Sequence, residues 1–202
     1  MQKLSQIFSA IFSPLLVPTY GMILIAGLTI LRILSLHLLL TAVGITFVMT
    51  FVIPVIAIIA LCRTGVIKDK TLGERSERTI PYSIATICYI GCGFTFVKVN
   101  APLWIPLFFA GIATATLITT LVNLKWKISA HGVAVGGLVA MMFRIVASHY
   151  AIYNMNLWLS AVIILAGFVM TARVYLERHT LWQVLAGCAN GFACVYLLSM
   201  IA

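Results

Sequence analysis

Acidic side chains are nearly missing from this chain: four Asp and Glu stand among 202 residues. They form no cluster of the kind that holds Mg²⁺ or Ca²⁺ through carboxylate oxygens. Charge of either sign is scarce. Only 8% of the residues are Asp, Glu, Lys or Arg, against roughly 25% in a soluble domain. A mean hydropathy of +1.15 then places the chain among integral membrane proteins. Cysteine is limited to five, an odd number, at Cys62, Cys88, Cys92, Cys188 and Cys194. All lie in or beside apolar runs, where small thiols serve as packing. Cys88 and Cys92 are four apart, but no histidine or acid accompanies them, so packing is preferred to metal binding there. At 22.1 kDa residues 1–202 make one transmembrane domain with no room for a second.

What is present in quantity is apolar sequence, 63% of the chain. It falls into seven stretches, about 10–31, 38–61, 81–97, 101–122, 131–151, 156–172 and 181–201. Most reach the roughly 20 residues that a helix needs to cross the hydrocarbon. The expected fold is all-α, an integral membrane helical bundle of six to seven transmembrane helices joined by short links. The uncertainty in number comes from the start, MQKLSQIFSAIFSPLLVPTYG, which has no small-residue cleavage site and is read as a retained first segment. Pro14 and Pro18 bend it or lay it along the interface, and Pro54 kinks the second stretch. Gly132 and Gly136 in the fifth stretch and Gly187 and Gly191 in the seventh form two GxxxG pairs, a spacing that permits close helix contact.

The remaining polar residues gather in three patches: KDKTLGERSERTIP at 68–81, KWKISAHG at 125–132 and ARVYLERHT at 172–180. Seven crossings bring all three to the membrane face that carries the N-terminus. That face holds Lys3, Arg63, Lys68, Lys70, Arg75, Arg78, Lys125, Lys127, Arg173 and Arg178, ten cations against Arg32, Lys98 and Arg144 on the other. The distribution favours the cytoplasm for the basic face, and a bacterial inner membrane is the expected location. Nucleic-acid binding is excluded because the formal charge of +9 sits in short loops between apolar spans.

Each patch supplies a different part of a phosphoryl site. Arg173 and His179 are separated by five residues, and His179 opens the last apolar stretch. A neutral imidazole there is a nucleophile for phosphorus, and a guanidinium beside it grips two phosphoryl oxygens. Ser129 and His131 stand where the fifth stretch begins, so free backbone N–H groups can receive an anion and His131 can protonate a leaving alkoxide. Lys68, Lys70, Arg75 and Arg78, ahead of Pro81, add positive charge for a transition state. Lys125 and Lys127 flank Trp126 and read as interface anchors. His37 and His149 read as residues of the opposite interface, and Arg144 as buried and paired or snorkelling.

These residues resemble the three motifs of the type 2 phosphatidic acid phosphatase (PAP2) superfamily of membrane lipid phosphatases. The third motif, Ser-Arg, five residues, His, three residues, Asp, reads here Ala172, Arg173, five residues, His179, three residues, Gln183. The second, Pro-Ser-Gly-His, reads Ile128, Ser129, Ala130, His131. The first, Lys, six residues, Arg-Pro, fits as Lys68, six residues, Arg75, Ser76, or in another register with Arg78 ahead of Pro81. The resemblance covers roughly residues 60–195. It implies a metal-independent hydrolysis of a lipid phosphate or diphosphate, with His179 as nucleophile and His131 as general acid. Lys68, Arg75 or Arg78, Arg173 and Ser129 would then hold the phosphoryl group, with no cofactor, no metal and no required protein partner. The implied substrates are membrane lipid phosphates or a polyprenyl diphosphate. Gln183 replaces the family's histidine-orienting aspartate; its carbonyl can still fix the imidazole tautomer but cannot stabilise a positive ring. Two other readings stand beside this one: a non-catalytic relative that binds lipid phosphate, and a small transporter of an anionic lipid or solute.

Overall fold

The computed structural model describes residues 2–68, 73–148 and 151–201, and of residues 2–4 only the backbone. Asp69, Lys70, His149 and the Lys3 side chain lie outside what is described. The described chain is helical apart from short connections and one isolated antiparallel bridge between Thr29 and Ala151. Six helices are long and apolar enough to cross a membrane: α3 (Leu36–Arg63), α4 (Thr79–Lys98, entered by a 3-10 turn Ser76–Arg78), α5 (Trp104–Asn123), α6 (Ala130–Ala147), α7 (Asn156–Tyr175) and α8 (Leu181–Ser199). Large apolar side chains such as Leu40, Leu157, Phe168 and Trp182 are exposed around the outside of the bundle, as lipid-facing positions should be.

The first apolar stretch does not form one crossing helix. It breaks into α1 (Gln2–Ile11) and α2 (Val17–Leu28) around a turn at Ser13–Leu16 that holds Pro14. Pro18 then sits in the first turn of α2, where its missing N–H costs nothing. Twelve residues of α2 span about 18 Å, short of the roughly 30 Å of hydrocarbon. The break leaves the Leu15 carbonyl without a helical partner, and Thr50 Oγ1 of α3 donates to it at 3.1 Å. In α3 the stretch Val48–Val52 is a π turn just ahead of Pro54. That wider turn absorbs the hydrogen bond Pro54 cannot donate.

Inside this shell α6 is the most enclosed helix, with over half of its apolar window buried. It packs directly on α8, and the two GxxxG pairs lie against each other. A Cβ at Gly132 would stand 2.6 Å from the Val184 carbonyl, and one at Gly187 would stand 2.5 Å from that of Ser129. At Gly136 and Gly191 a methyl group would overlap the backbone of Cys188 and Val133. Only hydrogen fits at these four positions, so the helix axes approach closely from their N-terminal ends inward. Gly111 of α5 meets the Val195 backbone of α8 in the same way, 2.7 Å from Cα.

The connections confirm which ends share a face. Asn123 Nδ2 at the end of α5 donates to the Arg75 carbonyl at 2.9 Å, and the Ser129 N–H ahead of α6 donates to the Gln183 carbonyl of α8 at 3.1 Å. At the other end, the Ile152 N–H donates to the Leu28 carbonyl at 3.3 Å, and Arg144 Nε caps α8 through the Ser199 carbonyl at 2.8 Å. The segments 73–78, 124–129 and 176–180 therefore lie together, as the sequence parity requires.

Candidate functional site

A cavity of about 450 Å³ opens inside the bundle on the face where the three patches meet. Its polar end is lined by Arg78, Tyr82, His131, Arg173 and His179. Most of the rest of its wall is apolar: Leu15, Val17 and Pro18 from the α1–α2 turn and α2, Val55, Ile58 and Ile59 from α3, and Phe108, Ile112 and Leu138 from α5 and α6, with the hydroxyl residues Ser13, Thr116 and Thr119 among them. A charged head with an apolar shaft fits an amphiphile, and the volume is within the usual range for a small-molecule site.

His179 is buried at 6% exposure, in the link between α7 and α8. Its place follows from the start of α8. Thr180 is the N-cap, its hydroxyl accepting the Gln183 N–H at 3.4 Å, while Gln183 Oε1 accepts the Thr180 N–H at 3.2 Å. This reciprocal capping box satisfies two otherwise orphan donors. The same Gln183 Oε1 lies 3.2 Å from His179 Nδ1. A carbonyl oxygen only accepts, so Nδ1 carries the proton and Nε2 keeps its lone pair. Burial, then the positive charges of Arg78 and Arg173, push the imidazole pKa down to about 3; the bond to Gln183 and the charge of Lys127 are smaller influences. His179 is thus a neutral ring with a free Nε2 at neutral pH, in a strongly positive field.

His131 is in the first turn of α6. Ser129 is the N-cap of that helix, its hydroxyl accepting the Gly132 N–H at 3.3 Å. Ser129 is fully buried and its backbone N–H is held by Gln183; it braces the two helix starts and does not line the cavity. Through it, and through the glycine contacts below, the two histidine-bearing helix ends are fastened side by side. His131 Nε2 lies 3.2 Å from Ser9 Oγ and 3.0 Å from the Ser9 carbonyl oxygen of α1. Arg173, in the last turn of α7, donates from one terminal nitrogen to the same Ser9 Oγ at 2.6 Å. Its Nε is buried and has no partner among the described residues.

The two registers of the first motif separate in space. Arg78 is buried at the entrance of α4, beside Tyr82, and lines the cavity. Arg75 is turned outward: it donates to the Asn123 carbonyl at 2.9 Å and to that of Leu124, closing the C-terminal end of α5. Lys68 is exposed, its backbone N–H donating to Glu77 Oε1 at 3.0 Å, and it does not line the cavity. Residues that sequence reasoning passed over also appear here. Lys127, read as an interface anchor, is half-buried; burial and the charges of Arg78, Arg173 and Arg178 lower its ammonium pKa. Tyr82 was signalled by its position one helical turn after Arg78. The one sequence signal for Ser9 is its place in a run of serines spaced four apart, Ser5, Ser9 and Ser13, which does not say what the run faces.

The assembled groups are a free imidazole nitrogen, a second imidazole at a helix N-terminus and two guanidinium groups, with Lys127 nearby. Such a set can bind a tetrahedral anion and exchange protons and a phosphoryl group with it. No family profile, curated protein or solved structure matches this chain.

Proposed function

We propose that the protein hydrolyses the phosphate ester or diphosphate of a membrane lipid, without a metal, as a divergent relative of the PAP2 lipid phosphatases. The observation that carries this reading is the cavity, which joins an apolar shaft to an end formed by two histidines and two arginines. The apolar wall takes the lipid chain and the charged end takes the phosphoryl group. Arg78 and Arg173 hold non-bridging oxygens and neutralise their charge.

His179 Nε2 attacks phosphorus in line with the ester oxygen. A P–N bond forms, the P–O bond to the lipid breaks, and the departing alkoxide takes a proton from Nε2 of His131, which enters the step as an imidazolium favoured by the negative charge of the bound phosphate and leaves it as a neutral ring. Water then attacks the phosphohistidine, gives its proton to His131, and inorganic phosphate leaves as the P–N bond breaks. Gln183 holds the His179 tautomer throughout. Because the ring begins neutral, it need not lose a proton to act. Lacking a carboxylate partner, it carries the positive charge of the intermediate less easily than the family's histidine would.

The test is phosphate release by purified protein from a panel of lipid phosphates and diphosphates in EDTA, with rapid acid-free quenching to trap a phosphohistidine. Release that survives EDTA, with label on position 179 and loss of both in His179→Ala, is the expected result. Binding of a lipid phosphate with no release from any would support the non-catalytic reading instead. The cation count, ten to three, argues that this face is cytoplasmic.

A further inference from the structure

The phosphatase reading leaves one contact unused, and the inference drawn from it depends on that reading. Helix α1 turns its hydroxyls toward the bundle and its apolar groups outward. Ser5 and Ser9, continued by Ser13 in the turn that follows and spaced four apart, are half-buried, while Ile7, Phe8 and Ile11 are exposed. At the centre of that inward stripe, Ser9 Oγ accepts from Arg173 and its carbonyl oxygen accepts from His131 Nε2. A carbonyl cannot donate, so the His131 proton that the leaving oxygen needs is given to Ser9. Beside it the buried Arg173 Nε–H has no partner among the described residues, a donor that an anion would satisfy.

We propose that α1 is a lid whose Ser9 stands in for a substrate oxygen, holding His131 and Arg173 in a closed resting state until a lipid phosphate displaces it. The connections allow this motion. Helix α1 packs on α7, with Phe8 and Phe168 centroids 6.5 Å apart, and hinges on the Ser13–Leu16 turn at Pro14. That turn also forms part of the cavity wall, through Ser13, Pro14 and Leu15, so filling the shaft and moving the lid are mechanically linked. Ser9 is an inhibitory group in this scheme, not a phosphate ligand, and the two roles predict opposite effects of its removal.

The experiment measures orthovanadate binding to the full chain in lipid nanodiscs by calorimetry, for wild type, Ser9→Ala, Ser9→Asp and Arg173→Ala. In parallel, amide exchange of residues 5–13 is followed with and without vanadate. Ser9→Ala is expected to bind about five- to tenfold more tightly, the equivalent of roughly one net hydrogen bond no longer broken. Ser9→Asp is expected to bind more weakly than wild type, and exchange over residues 5–13 to rise on vanadate addition. Equal or weaker binding by Ser9→Ala, with binding still lost in Arg173→Ala, overturns the lid while leaving the phosphatase reading intact. No binding by wild type or Ser9→Ala, or binding indifferent to Arg173→Ala, overturns the phosphatase reading and the lid with it.

Discussion

Replacing Gly187 by alanine tests how the site is held together. The new Cβ would stand 2.5 Å from the Ser129 carbonyl oxygen, where ordinary contact begins at 3.4 Å, so α6 and α8 must separate locally by about 0.9 Å. The Ser129 N–H to Gln183 carbonyl bond, 3.1 Å in the native structure, would then lengthen to about 4 Å and be lost. Overpacking of this kind costs about 1–3 kcal/mol, and the lost bond about 1 kcal/mol more. The expected destabilisation is about 2–4 kcal/mol, read from unfolding in mixed detergent and sodium dodecyl sulfate. Gly167→Ala and Gly27→Ala are the controls, because nothing lies within 4 Å of a Cβ at either position. Each should be neutral or slightly stabilising, by up to about 1 kcal/mol, from helix propensity alone. If Gly187→Ala unfolds with the wild-type free energy, the close α6–α8 contact is wrong, and the side-by-side placement of His131 and His179 loses its foundation.

Three further outcomes follow from the site. Arg78→Ala should weaken vanadate binding by more than tenfold. Arg75→Ala should leave vanadate binding nearly unchanged while costing about 1–2 kcal/mol of stability through the lost bonds to Asn123 and Leu124; calorimetry and unfolding on both variants check it. Gln183→Glu should raise the His179 pKa, since a carboxylate in place of the amide favours the protonated ring, and histidine ¹⁵N shifts recorded over a pH series would report it. Finally, the folded His179 pKa of about 3 lies below the ordinary 6.5. Between those values the unfolded chain binds a proton that the folded chain refuses, so stability is full above pH 6.5 and falls as pH drops toward 3. Over pH 7 to 4 His179 should contribute up to about 1.4 kcal/mol per pH unit to the measured slope, a contribution lost in His179→Gln; an identical slope in the variant would contradict it.

Much of this arrangement was legible because membrane topology reduces to counting. Once the apolar stretches are marked, parity alone puts 68–81, 125–132 and 172–180 on one face, whether or not the first stretch crosses. The choice between Arg75 and Arg78 was harder, since spacing from Lys68 is a count along the chain and says nothing of where either side chain points. Helical periodicity was the better guide. Arg78 in the turn that enters α4 and Pro81, Tyr82, Ala85 and Tyr89 of α4 itself continue one stripe, and all of them line the cavity. The glycine pairs were visible, but nothing in a single sequence says that one pair faces the other. Ser9 was out of reach. It is an uncharged residue in an apolar segment, and its position depends on where the chain turns at Pro14.

Gln183 shows how a departure from a motif can be understood locally. Counted along the motif that the chain resembles, it stands where the resemblance would put a carboxylate. Counted from Thr180, it is the fourth residue of Thr-x-x-Gln, the sequence of a capping box. One amide oxygen then has two duties, accepting the Thr180 N–H to start α8 and fixing His179 as the Nδ1–H tautomer. A carboxylate at the same point would orient the ring equally well and would also favour its protonation. In a field set by Arg78, Arg173 and Lys127, the amide leaves His179 neutral over the whole physiological range. On the phosphatase reading, the chain thereby gives up stabilisation of a positive phosphohistidine and keeps a nucleophile that acid does not readily silence. On this argument Gln183→Glu should speed turnover at neutral pH and make it fail at a higher pH than wild type on acidification. A variant whose pH–rate profile matches wild type at every pH would show that Gln183 serves the helix cap alone.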